Sequence, residues 1–109
     1  MRFYPLAKLI NLFDGYTGQF KIDHLQLLLV QRDGERYLLE ANCPHREHPL
    51  DSAAITGDRI QCPLHHYQFS IRDGSLIHAT EAPCRGLRVY PLVYEGNEVG
   101  VMLSDDTDD

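Results

Sequence analysis

Five glycines sit beside Asp or Asn at short intervals: Asp14-Gly15, Asp33-Gly34, Gly57-Asp58, Asp73-Gly74 and Gly96-Asn97. Each pair can supply the positive φ that a tight hairpin turn demands and that most residues resist. Between these turns no capped amphipathic helix of useful length is legible, and the segments tend to alternate. Tyr67, Phe69 and Ile71 fall on one face with Gln68, Ser70 and Arg72 on the other, and Val99, Val101 and Leu103 repeat the pattern; this two-residue period belongs to half-buried strands. "LQLLLVQRDGERYLLEAN" reads as a hairpin turning at Asp33-Gly34, "YQFSIRDGSLIH" as a second at Asp73-Gly74, and "LRVYPLVYEGNEVGVML" as a third around Gly96. The expected fold is all-β, a small antiparallel sandwich or barrel with no internal repeat and no linker.

A chain of 109 residues, 43% hydrophobic, most simply forms one domain, since two independent cores would each be marginal at this size. A single domain is expected over residues 1–103. The remaining "SDDTDD", residues 104–109, is too short and polar to bury anything and reads as a solvated acidic tail. The start, "MRFYPLAKLINLF", lacks the apolar run of a signal peptide, and no window approaches the roughly 20 apolar residues of a membrane span. A soluble, cytoplasmic protein is expected. Ten basic against sixteen acidic residues leave a net charge of −6, which argues against nucleic acid and suits a partner with a basic surface.

Three cysteines in a chain without an export signal make a disulfide framework a poor expectation and metal or redox chemistry a better one. Two of them open similar stretches, Cys43-Pro44-His45 and Cys62-Pro63-Leu64-His65, each following a strand-like segment, "YLLEAN" and "DRIQ". Within each stretch one loop can bend both donors onto one inorganic centre, and two such loops can share it. Two thiolates and two imidazoles suit either tetrahedral zinc or an iron–sulfur cluster. Structural zinc sites more often pair like ligands in C-x₂₋₄-C and H-x₃₋₅-H spacings, whereas here each loop mixes one thiolate with one imidazole.

The C-x-H, sixteen residues, C-x-x-H arrangement resembles the Rieske [2Fe–2S] family, in which one iron takes two cysteines and the other two histidines. The resemblance extends to Arg46 and "PL" after "CPH", to an aromatic and "F" after "CPLH", to the Asp-Gly hairpin, and to the "P..GL" of "EAPCRGL". It therefore spans most of the chain and is closest in kind to the stand-alone ferredoxins that feed ring-hydroxylating oxygenases. The resemblance implies one [2Fe–2S] cluster held by Cys43 and Cys62 on the inner iron and His45 and His65 on the outer. It implies outward-facing imidazoles, shielding by Leu50, Leu64 and Tyr67, and a covering loop at Pro83. It also implies an electron carrier rather than an enzyme, working between a flavin-containing reductase and a terminal oxygenase; a catalytic domain with its own mononuclear iron would need far more chain.

Several positions depart from the family pattern. Glu47 and His66 stand where glycines are usual, and His48 and Leu64 where high-potential members carry a disulfide pair. Tyr67 takes the place of a serine that donates to a bridging sulfide. Fewer hydrogen bonds to the reduced cluster imply a potential near the lower end of the Rieske range, about −150 mV. His66 offers an alternative Cys62-x₃-His66 pairing, and Cys84 is expected to be a structural thiol. Two rival readings remain at this point: a small subunit of a nitrite reductase, and a zinc-stapled binding module with no redox role.

Overall fold

The computed structural model describes residues 2–44, 48–50, 53–63 and 65–103, with the side chain of His48 outside that description. Thirteen strands occupy them: β1 (Arg2–Lys8), β2 (Thr17–Ile22), β3 (Leu25–Arg32), β4 (Glu35–Glu40), β5 (Asn42–Cys43), β6 (His48–Pro49), β7 (Ala54–Thr56), β8 (Arg59–Gln61), β9 (Gln68–Ser70), β10 (Leu76–His78), β11 (Val89–Tyr90), β12 (Val93–Glu95) and β13 (Glu98–Leu103). Among the described residues the only helix is a 3₁₀ turn, Leu9–Asn11, and no helix is long and apolar enough to cross a membrane. Every pairing is antiparallel, in sheets ordered β1-β13-β12, β11-β4-β3-β2, β10-β9-β8-β7 and β5-β6.

The three hairpins read from the sequence are present. At the β3–β4 turn Asp33 and Gly34 both have positive φ, 52° and 80°, the left-handed pair whose twist matches that of the flanking strands. The β9–β10 and β12–β13 hairpins turn around Gly74 and Gly96. A fourth hairpin, β2–β3, turns at Asp23 with φ 55° and lacks the glycine signal. Asp tolerates this conformation better than most residues, so the turn is less conspicuous in the sequence.

β3 does not alternate in burial: Leu27 through Gln31 are all buried. It lies between β4 and β2 with a core on each face. Leu28 and Val30 enter one cluster with Leu39, Ile60 and Phe69, while Leu27 and Leu29 enter another with Leu38, Val99 and Val101. A strand covered on both faces has no need of a polar side, which is why its sequence is a continuous apolar run. The other patterned strands keep the expected alternation, with Tyr67, Phe69 and Ile71 buried and Gln68, Ser70 and Arg72 less so. β1 is an edge strand carrying Pro5 opposite Gly100, where a missing N–H costs little, and its register shifts between Pro5 and Ala7.

Candidate metal centre

The first of these two cores includes Cys43 and Cys62, the residues that open the two Cys-Pro stretches. Cys43 and Cys62 are 1% and 2% exposed and pack in the same apolar cluster as Leu50, Tyr67 and Leu87. No disulfide joins any of the three cysteines.

Each loop is closed at its base by backbone hydrogen bonding. The first leaves at the end of β5 and returns on β6, with Cys43 opposite His48 and Asn42 opposite Pro49. The Leu50 N–H donates to the Ala41 carbonyl at 2.7 Å, which sutures the return strand to the end of β4. His45, with Arg46 and Glu47, lies outside the described residues. The second loop is closed by Cys62 N–H to Tyr67 O at 2.8 Å and His66 N–H to Cys62 O at 2.9 Å. Leu64 lies outside the described residues, as does the acidic tail 104–109. His66 has φ 63°: the chain keeps the left-handed backbone expected of a glycine here although the residue bears a side chain.

His65 has 32% of its side chain exposed, so an edge of the ring reaches solvent, and its Nδ1 lies 3.6 Å from a carboxylate oxygen of Glu81. The Thr80 hydroxyl donates to the His65 carbonyl at 2.6 Å. Thr80 and Glu81 open a segment without regular structure, residues 79–88, that runs past the second loop. Tyr67, fully buried, ties this segment down by donating its hydroxyl hydrogen to the Ala82 carbonyl. Burial, then the neighbouring Glu81, Cys84 and Cys43, pushes the Tyr67 phenol above its ordinary pKa, so it remains a protonated donor at neutral pH. Pro83, within this segment, is exposed. Cys84 is half-buried against the core that holds Cys43 and Cys62, and burial raises its pKa, with Arg85 opposing; the thiol form is favoured.

The far end of the segment is fixed to β4. Both carboxylate oxygens of Glu40 engage the Arg85 guanidinium, and one also accepts the Arg88 N–H at 2.8 Å. Leu87 N–H donates to Gly74 O at 2.7 Å, so the "GL" of "EAPCRGL" docks on the β9–β10 turn. A polar crevice of about 380 Å³ lies beside Cys43, lined by Glu40, Asn42, Pro44, Arg85 and Arg88. Its charged residues are two arginines and one glutamate, a local balance opposite in sign to the net charge of −6.

The donor chemistry fits a cluster shared between two loops. Two buried thiols would supply anionic sulfur from the core side, and the partly exposed His65 imidazole could serve from the solvent side, as a two-sulfur, two-nitrogen division between two irons requires. Among the described residues no three His, Cys, Asp or Glu side chains gather around a single ion; a diiron unit divides its protein donors two and two and does not call for such convergence.

Comparison with known proteins agrees with this architecture. Residues 2–91 match the model of the Rieske [2Fe-2S] domain. The biphenyl dioxygenase ferredoxin subunit of Pseudomonas sp. (strain KKS102) is 32% identical over 83% of this chain and 82% of its own. The ferredoxin of carbazole 1,9a-dioxygenase from Nocardioides aromaticivorans IC177 superposes with a TM-score of 0.78 at 29% identity, covering 93% of this chain and 97% of that one. A chain in the reduced complex between oxygenase and ferredoxin of carbazole 1,9a-dioxygenase gives a TM-score of 0.83 at 26% identity; it covers 96% of this chain but 29% of that one, so the likeness there is to one segment of a longer polypeptide. With the cysteines of both Cys-Pro stretches buried in one core of an antiparallel β scaffold and a family match across most of its length, the chain belongs to the Rieske [2Fe-2S] domain family.

Proposed function

We propose that this protein is the ferredoxin of an oxygenase system, passing single electrons from a flavin-containing reductase to a terminal oxygenase through one [2Fe–2S] cluster held by Cys43, His45, Cys62 and His65. It is an electron-transfer component and not itself the catalyst. The observation that carries the reading is the pair of core-buried thiols, Cys43 and Cys62, each at the base of a loop that also contains a histidine.

When bound, the cluster supplies a one-electron carrier whose potential is higher than that of all-thiolate clusters, because neutral imidazoles replace anionic sulfur on one iron. The chain's own residues do the rest. Cys43 and Cys62 would anchor the inner iron from the core wall, where Leu50 and Tyr67 exclude water. His45 and His65 would hold the outer iron, and the solvent-facing edge of His65 shortens the path to a partner. Tyr67, Thr80 and the Glu40–Arg85 pair hold segment 79–88 across the site. The relatives named above serve dioxygenases, which supports a terminal oxygenase as the acceptor here; a cytoplasmic location follows from that role.

Anaerobically purified protein should contain two irons and two acid-labile sulfides per chain, with the absorption and reduced-state EPR spectra of a histidine-ligated cluster. Colourless protein carrying stoichiometric zinc would overturn the assignment. Reconstitution with a flavin reductase and an oxygenase should make turnover depend on this chain, and Cys43→Ser or His65→Ala should abolish that dependence together with the spectrum.

A further inference from the structure

An arginine side chain can donate hydrogen bonds but cannot accept them, and that restriction fixes the direction of a row of side chains along β8 and β9. Arg59 Nη1 donates to Gln68 Oε1 at 3.3 Å. The Gln68 amide therefore presents Nε2 at its other corner, where it donates to Gln61 Oε1 at 3.0 Å. Gln61 is left with Nε2 for the next member, His66, whose Nδ1 lies 3.0 Å away. A donor thus faces Nδ1, which assigns Nδ1 the acceptor role and places the ring hydrogen on Nε2. The tautomer follows from the network, through an obligate donor three side chains away.

The strand register makes the row achievable. Gln61 and Gln68 are direct partners across the β8–β9 ladder, and Arg59 lies two residues from Gln61 on the same face of β8. Gln61 immediately precedes Cys62, so the row reaches the second Cys-His loop at its base. His66 is also where that loop takes a left-handed turn, φ 63°, with a side chain in place of the usual glycine. A residue with a β-carbon is strained there unless its surroundings hold it, and the row supplies such a hold.

The neighbouring ring is drawn elsewhere. His65 lies against Glu81, and its carbonyl is held by Thr80, both on segment 79–88. Two adjacent imidazoles, either of which has workable spacing from Cys62, are thereby sent to different elements. We infer that the Arg59–Gln68–Gln61 row is a positioning device that ties His66 to the β8–β9 face and so reserves the liganding role in this loop for His65. The inference rests on the ligand set proposed above and adds to it residues that touch neither iron nor sulfide.

The test uses the holoprotein. Gln61→Leu breaks the row next to His66, and Gln68→Leu breaks it one step back in case the first variant folds poorly. Either should give a second set of g-values in the reduced-state EPR spectrum and release iron to a chelator about tenfold faster, the usual scale for losing a group that orients a metal ligand. Adding His66→Gly removes the competing ring and the strained side chain together. In that background Gln61→Leu should leave both the EPR spectrum and the release rate unchanged. A single wild-type EPR species in both row variants would overturn the inference, as would a second species that persists once His66 is gone. Wild-type protein that holds no iron and sulfide would instead overturn the ligand set, so the two failures are distinguishable.

Discussion

Glu40 and Arg85 meet through both carboxylate oxygens, Nη1 to Oε1 at 2.5 Å and Nη2 to Oε2 at 3.0 Å. Glu40 is the last residue of β4, the strand that leads into the first Cys-Pro loop, and Arg85 belongs to the segment that runs past the second. The backbone reinforces the join, since Glu40 N–H donates to the Arg88 carbonyl while the Glu40 carboxylate accepts the Arg88 N–H. One residue therefore couples the wall of the site to its cover.

Charge-assisted bidentate pairs are among the stronger hydrogen bonds, but half of the Arg85 side chain is exposed, which discounts this one for solvent screening. Glu40→Gln should lower stability by about 1–2 kcal/mol, seen as a melting temperature roughly 5 °C lower. Arg85→Lys should fail to retain the wild-type value because an ammonium cannot grip both oxygens. Equal melting temperatures for wild type and Glu40→Gln would remove the pair from the account.

Gly74 and Leu87 bring the covering segment onto the β9–β10 turn. Gly74 has φ 78°, and a β-carbon there would run into the Leu87 carbonyl. Gly74→Ala should cost at least about 2 kcal/mol, combining left-handed strain with the displaced contact, and should speed chelation of iron because the cover loosens. Denaturant unfolding monitored alongside the visible absorption reads both effects; a variant as stable as wild type would show that this approach can relax freely.

Asp14 accepts hydrogen bonds from the Gln31 side chain and the Gly34 N–H, and these hold its carboxyl below the usual value of 3.8. The folded state thus favours the ionised form. Its stabilising effect is fully present above the unfolded-state pKa and is lost as pH falls through the lower folded-state value. Wild type should therefore exceed Asp14→Ala in urea midpoint at neutral pH, with the gap closing only below about pH 4. A gap independent of pH down to acid unfolding would mean that the charge plays no part.

A hydroxyl has one hydrogen to give, and Tyr67 gives it to the Ala82 carbonyl. It cannot at the same time donate to a bridging sulfide as the family's serine does. The cluster should then lie near the lower end of the Rieske range, about −150 mV, and Tyr67→Phe should leave the midpoint unchanged while lowering the melting temperature. A voltammetric midpoint of about +100 mV or above, or a clear downward shift in the phenylalanine variant, would reverse this assignment.

Turn chemistry and side-chain period are local properties, so the hairpins at Asp33-Gly34, Asp73-Gly74 and Gly96 and the faces of β9 and β13 were legible from neighbouring residues alone. The two Cys-Pro stretches were legible for the same reason, since softness and spacing of donors are written in a few consecutive letters. The β2–β3 turn at Asp23 was obscured because it carries no glycine. The two-sided burial of β3 could not be read locally, because an apolar run looks the same whether one core or two cover it. Pairing of β1 with β13 joins opposite ends of the chain, and the grip of Glu40 on Arg85 spans 45 residues; such partners are chosen by packing, not by neighbours in sequence. His66 shows the division most clearly. The sequence by itself determined that two histidines stand side by side after Cys62, but only the tertiary structure decided that one turns onto the β8–β9 face and the other toward Glu81, because the groups that hold them come from different strands and loops.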